Sequence, residues 1–151
     1  MAVKNIGGLL DRVVGFEQRL EQYYAEIRDR SKNNDIRLLT YYLRRHYHHL
    51  PDVLAQYPPA LIDDVREIEL AHAIPFFPEK EFPALRSSPD RVRGPELLKS
   101  AILYDTALVN LYREILDLPL MDQARGLFDG LIHVEQRDIV MLRKMTAMHY
   151  F

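Results

Sequence analysis

A chain of 151 residues with 48% apolar and 28% charged side chains has the length and composition of one ordinary globular domain, residues 1–151, with enough material for a sizeable core. Twenty basic against twenty-two acidic residues give a formal charge of −2, which leaves no electrostatic footprint for nucleic acid or an anionic membrane; Arg91 and Arg93 alone do not supply one. The absence of cysteine excludes disulfides, thiolate metal sites and iron–sulfur clusters within the chain, so any metal must be held by nitrogen and oxygen.

Met1 to Leu10 shows no charged region followed by an apolar one, and no apolar run approaches the roughly 20 residues that span a bilayer. The expectation is a cytoplasmic protein without a membrane segment. Helix one is expected over about 6–30, from the helical spacing of Leu9, Leu10, Val13, Phe16, Leu20 and Tyr24. After the charged segment Asp29 to Asn34, with Asp35 as its candidate cap, helix two is expected over about 35–56. Its stripe is Ile36, Leu39, Leu43, His46, Leu50 and Val53, and Pro51 is placed to kink or end it. The short turn between them predicts an antiparallel hairpin.

A crossover over about 57–93 follows, with room for a short helix from Pro59 to about Ile74. Its second half carries Pro75, Pro78, Pro83 and Pro89 among Phe76, Phe77 and Phe82, which reads as an extended connection pinned by aromatics. Gly94 and Pro95 open helix three, about 94–117, and the break at Asp117 to Pro119 precedes helix four, about 120–148, whose stripe includes Phe128, Leu131, Glu135, Asp138 and Leu142. No strand pattern is visible, so the fold class is all-α.

Each of the four helices aims ionisable side chains at the core: Glu17 on the first, His46 and His49 on the second, Asp105 on the third, Glu135 and Asp138 on the fourth. Uncompensated buried charges cost several kcal/mol each, so six inward-facing groups point to something that neutralises them, with a metal pair first. The groups also fall into a repeat. Phe16, Glu17, Leu20, Tyr24, Glu26 and Ile27 map onto Tyr104, Asp105, Leu108, Tyr112, Glu114 and Ile115 at an offset of 88, and His46 and His49 map onto Glu135 and Asp138 at 89. Each half is a hairpin offering one carboxylate and then an i, i+3 pair, whose members share a helix face about 5–6 Å apart. Oxygen donors with two imidazoles suit iron or manganese and tolerate zinc in a crystal. Tyr24 and Tyr112, two turns past Glu17 and Asp105, are placed to hydrogen-bond those ligands from behind.

In these residues the chain resembles the ferritin-like superfamily, above all its short rubrerythrin-like members, across the four main helices. That family carries Glu, Glu-x-x-His, Glu and Glu-x-x-His on successive helices around a di-iron or di-manganese centre. Glu17, His49 and Glu135 match, Asp105 is a shortened counterpart, and Tyr24 stands where the family has a Tyr two turns after its first Glu. Two positions depart: His46 stands where the family has a bridging Glu, and Asp138 where it has His. A symmetric centre, an asymmetric dinuclear one and a single ion near His46, His49 and Glu135 all stay open.

The resemblance implies a ferritin-like antiparallel four-helix bundle of two hairpins joined by the crossover, with ferroxidase or O₂- or peroxide-reducing activity. Electrons would come from a separate donor, and a homodimer is expected, with Tyr41, Tyr42 and Tyr47 as packing or dimer-face residues. The alternative is a non-enzymatic interaction module with a degenerate, metal-free core, in which the histidines are satisfied locally and Glu135 and Asp138 pair with Arg44, Arg45 or Arg137. A hydroxylase acting on an organic substrate would require an apolar channel to the metal. His48, His72, His133 and His149 read as surface or local-contact residues. The spacings of hemerythrin, a Gly-rich phosphate loop and a Ser/His/Asp grouping are absent.

Overall fold

The computed structural model describes residues 3–148, which are helical throughout apart from connections. The helices are α1 (Ile6–Arg30), α2 (Asn34–His46), α3 (His49–Leu54), α4 (Pro59–Arg66), α5 (Gly94–Leu116) and α6 (Asp122–Ala147). Among the described residues the sole extended pairing is an isolated antiparallel bridge between Asn5 and Glu69, and no helix is long and apolar enough to cross a membrane. Helix α1 starts where Asn5 accepts from the Gly8 amide at 2.8 Å. Gly7 is needed there, because a Cβ would lie 2.9 Å from the Arg66 carbonyl oxygen of α4.

The second helix departs from its expected course at both ends. Asn33 rather than Asp35 caps it, accepting from the amides of Asp35 and Ile36. It then breaks at Tyr47 and His48, so that a helix expected over about 35–56 becomes α2 and the short α3. Pro51 explains the break: it has no N–H to offer the Tyr47 carbonyl four residues back, and its ring crowds that carbonyl. The His48 amide bonds to Arg45, three residues back, as the turn tightens.

The crossover is strapped to the helices rather than free. Its helical part ends at Arg66, short of the expected Ile74, and the chain then pairs with the N-terminal segment through Ile6 N–H to the Ile68 carbonyl and Leu70 N–H to the Lys4 carbonyl. Short 3₁₀ turns follow at Pro78–Lys80 and Pro83–Arg86. Phe76 and Phe82 are buried as expected, whereas Phe77 is exposed. Tyr23 of α1 donates to the Ala84 carbonyl at 2.6 Å, and Ser100 of α5 accepts from the Ala84 amide at 2.9 Å.

Helices α5 and α6 pack along their lengths, as do α1 and α2. Arg125 of α6 donates to the carbonyls of Leu116 and Leu118 at 3.0 and 3.1 Å, satisfying acceptors left by the end of α5. One contiguous apolar cluster draws on all six helices and the crossover. His149 lies outside the described residues; His48, His72 and His133 are exposed, as their positions off the stripes predict.

Candidate metal centre

Inside that cluster the polar exceptions are few, and three are carboxylates: Glu17, Asp105 and Glu135 are 3%, 0% and 0% exposed. His46 ends α2 and His49 begins α3, and the two rings stack 5.5 Å apart. Across from them, Asp105 of α5 lies 3.0 Å from His46 Nε2, and Asp138 of α6 lies 2.9 Å from His46 Nδ1. Glu135 Oε1 lies 2.9 Å from His49 Nε2. One donor atom each from His46, Asp105 and Glu135 falls within 4.8 Å of the others, the spacing of a cation site. Asp138 and His49 sit at its edge, while Glu17 flanks it from α1, with Tyr104 of α5 donating to its Oε2 over a long 3.4 Å.

The break in helix two does chemical work here. With the helical ladder interrupted, the His46 carbonyl accepts from His49 Nδ1–H at 2.6 Å. A carbonyl can only accept, so this contact fixes the proton on Nδ1 and leaves the Nε2 lone pair of a neutral His49 aimed toward Glu135. The Nε2 to Oε1 approach of 2.9 Å does not have the angles of a hydrogen bond. Two ligands at right angles on one ion, with bonds of about 2.0–2.2 Å, would stand about 3 Å apart, which this contact matches.

Among the described residues, six buried side-chain atoms meet no partner at hydrogen-bond geometry: Glu17 Oε1, Asp105 Oδ1, both Glu135 oxygens, His49 Nε2 and Tyr24 Oη. Each such atom costs about 1–3 kcal/mol when left unpaired. All but Tyr24 Oη belong to the six groups the sequence aims inward, and two of those groups, Asp105 and Glu135, bring donor atoms within 4.8 Å of each other and of His46, where a cation would satisfy them. This donor set of oxygen and imidazole nitrogen fits iron, manganese or zinc.

Without a metal the site holds its protons. Burial raises the Glu17 carboxyl well above its ordinary range, with Glu135 and Asp105 adding to that and His46 opposing it. Burial likewise raises Asp105, to about 7, against the pull of His46. For His46 burial opposes the charged ring, yet Asp105, Asp138 and Glu135 together outweigh it and hold the imidazolium well above 6.5. His49 is raised too, the Glu135 carboxylate overcoming burial.

Tyr24 and Tyr112 are fully buried, but among the described residues Tyr24 Oη meets no partner at hydrogen-bond geometry, and the tyrosine that donates to Glu17 is Tyr104. The signal for Tyr104 was present, since it is the repeat counterpart of Phe16, and the two rings meet at 5.1 Å. Tyr47 is buried against His46, with ring centres 4.5 Å apart, while Tyr41 is exposed. Among the described residues, Arg44, Arg45 and Arg137 make no ion pair with Glu135 or Asp138; His46 and His49 take those places.

An open groove of about 900 Å³ runs between α2 and α6 and reaches His46, His49 and Asp138. Nothing in the chain's periodicity marks it. No family model matches the chain, and no curated protein and no solved structure matches it either.

Proposed function

We propose that the protein is a metal-binding, ferritin-like four-helix bundle, with α1, the broken α2–α3, α5 and α6 as its helices and Glu17, His46, His49, Asp105, Glu135 and Asp138 as its ligands. The observation that carries this is the concentration of orphaned buried donor atoms on Glu17, His49, Asp105 and Glu135. A dry polar network without a cation would leave them all unpaired.

The repeat supplies a second support, because the contacts obey it. Exchanging each residue for its counterpart turns the His49–Glu135 pair into Asp138–His46, and both are 2.9 Å. Phe16 touches Tyr104, its own counterpart, as residues near a pseudo-twofold axis must. The two departures from the family pattern are therefore partners: His46 and Asp138 face each other, so a Glu-to-His change on helix two is matched by a His-to-Asp change on helix four. The His–carboxylate pair survives with its polarity reversed.

Iron or manganese bound here would supply one-electron chemistry toward O₂ or peroxide, the electrons coming either from ferrous iron as the substrate oxidised or from a separate donor. The chain's own groups then have defined tasks. His49 presents Nε2 because its Nδ1 is committed to the His46 carbonyl, Tyr104 steadies Glu17, and Tyr47 walls one side of His46. Binding must release the protons held by Asp105, Glu17 and the imidazoles, since ligands bind deprotonated. The test is metal analysis of protein purified without chelator, with calorimetry of Mn²⁺ uptake in two buffers of different ionisation enthalpy. The reading predicts stoichiometric metal, proton release, and loss of both in Glu135→Ala and His49→Ala. Metal-free protein with no thermal shift on adding Fe²⁺, Mn²⁺ or Zn²⁺ would instead establish the degenerate-core alternative.

A further inference from the structure

The groove between α2 and α6 has more apolar surface than a monomer needs. Leu38, Tyr41 and Met141 line it while 63%, 52% and 48% exposed, and Tyr42 and Met145 deepen it. Its volume of about 900 Å³ is that of a site for a small organic molecule rather than a seam. Two guanidiniums, Arg45 and Arg137, also line it. Arg45 lies 5.9 Å from the Tyr41 ring, and neither arginine has a carboxylate partner among the described residues. The one acid in the groove, Asp138, is already held by His46 at 2.9 Å. A second copy of the chain is a poor occupant. A twofold interface sets a patch against itself, so it would bring four arginines together with no free acid to answer them.

We propose that this groove binds an amphipathic carboxylic acid, its aliphatic body against Leu38, Tyr42, Met141 and Met145 and its carboxylate on Arg45 and Arg137. Apolar walls fit the chain, and guanidiniums bind carboxylates through paired, charge-assisted hydrogen bonds. The inference goes beyond the metal reading, because binding needs no metal. Its location matters all the same, since the groove is where His46, His49 and Asp138 meet solvent.

Decanoate titrated calorimetrically into metal-free protein tests this, beside decanol and decyltrimethylammonium and with the Arg45→Gln/Arg137→Gln variant. The expected result is one decanoate per chain, bound at least about tenfold more tightly than decanol and weakened at least about tenfold by the double substitution, with no competition from the cation. Absence of decanoate binding, equal affinity for decanol, or indifference to the arginines would overturn it. So would sedimentation showing a dimer that Leu38→Glu dissociates, which would make the groove an interface between copies. Because the protein carries no metal in this titration, a failed metal site leaves the result intact, and a failed titration leaves the metal reading standing.

Discussion

The two hairpins carry one plan and execute it differently. In the second, Glu135 and Asp138 ride on a single uninterrupted helix of 26 residues, and the turn before it is clamped by Arg125. In the first, the corresponding pair straddles a break, with His46 closing α2 and His49 opening α3. At the break the His46 carbonyl orients the His49 imidazole. Cationic groups thus come from the first hairpin and their carboxylate partners from the second, so each hairpin neutralises the other while the site is metal-free.

The comparison is broken most severely by reversing one partner only. His46→Glu sets a new carboxylate against Asp105 and Asp138, and breaking a buried pair in this way costs about 3–5 kcal/mol. Urea unfolding of the metal-free protein should show that loss for His46→Glu and a smaller one for Asp138→His, whose site is more exposed. The double variant should recover most of it, and should bind Mn²⁺ within a few-fold of the parent although each single variant loses about ten- to a hundredfold. Additive losses in the double variant would mean that the two positions are not partners.

Titration provides a smaller perturbation of the same balance. Glu17, Asp105 and His46 all have raised folded-state values, so the folded protein holds more protons than the unfolded chain. Their contribution to stability is complete below the ordinary carboxylate range, near pH 4, and is lost as pH rises through the folded values, past about 7 for Asp105. Thermal unfolding of metal-free protein should therefore show Tm falling from mild acid toward pH 8. Saturating Mn²⁺ should reverse the slope, because the bound ion requires those groups deprotonated. Smallest of all is Pro51→Ala, which restores an N–H to the broken segment. It should raise helicity by circular dichroism and change stability by about 1 kcal/mol, while lowering Mn²⁺ affinity as His49 loses its hold on the His46 carbonyl.

Much of this was legible in the sequence, because period and offset are properties of a single helix. The stripes placed Glu17, Asp105 and Glu135 in the core, and the offset of 88 paired Phe16 with Tyr104, whose rings meet. What escaped depends on events between elements. Pro51 marked a kink, but its clash acts on Tyr47, four residues upstream, so the break and the burial of Tyr47 were displaced from the residue that signals them. Tyr104 rather than Tyr24 reaches Glu17, a matter of how α5 is rotated against α1 that spacing alone cannot fix. The groove with Arg45 and Arg137 is lined by residues of both α2 and α6, and neither sequence carries it alone.

The most direct test of the central claim is anomalous diffraction from crystals grown with Mn²⁺. The account predicts a peak bonded to His46, Asp105 and Glu135 at about 2.0–2.2 Å, with His49 Nε2 turned onto the same centre and its Nδ1 still on the His46 carbonyl. Crystals with no anomalous peak there, and with His46 still closed between Asp105 and Asp138, would contradict it.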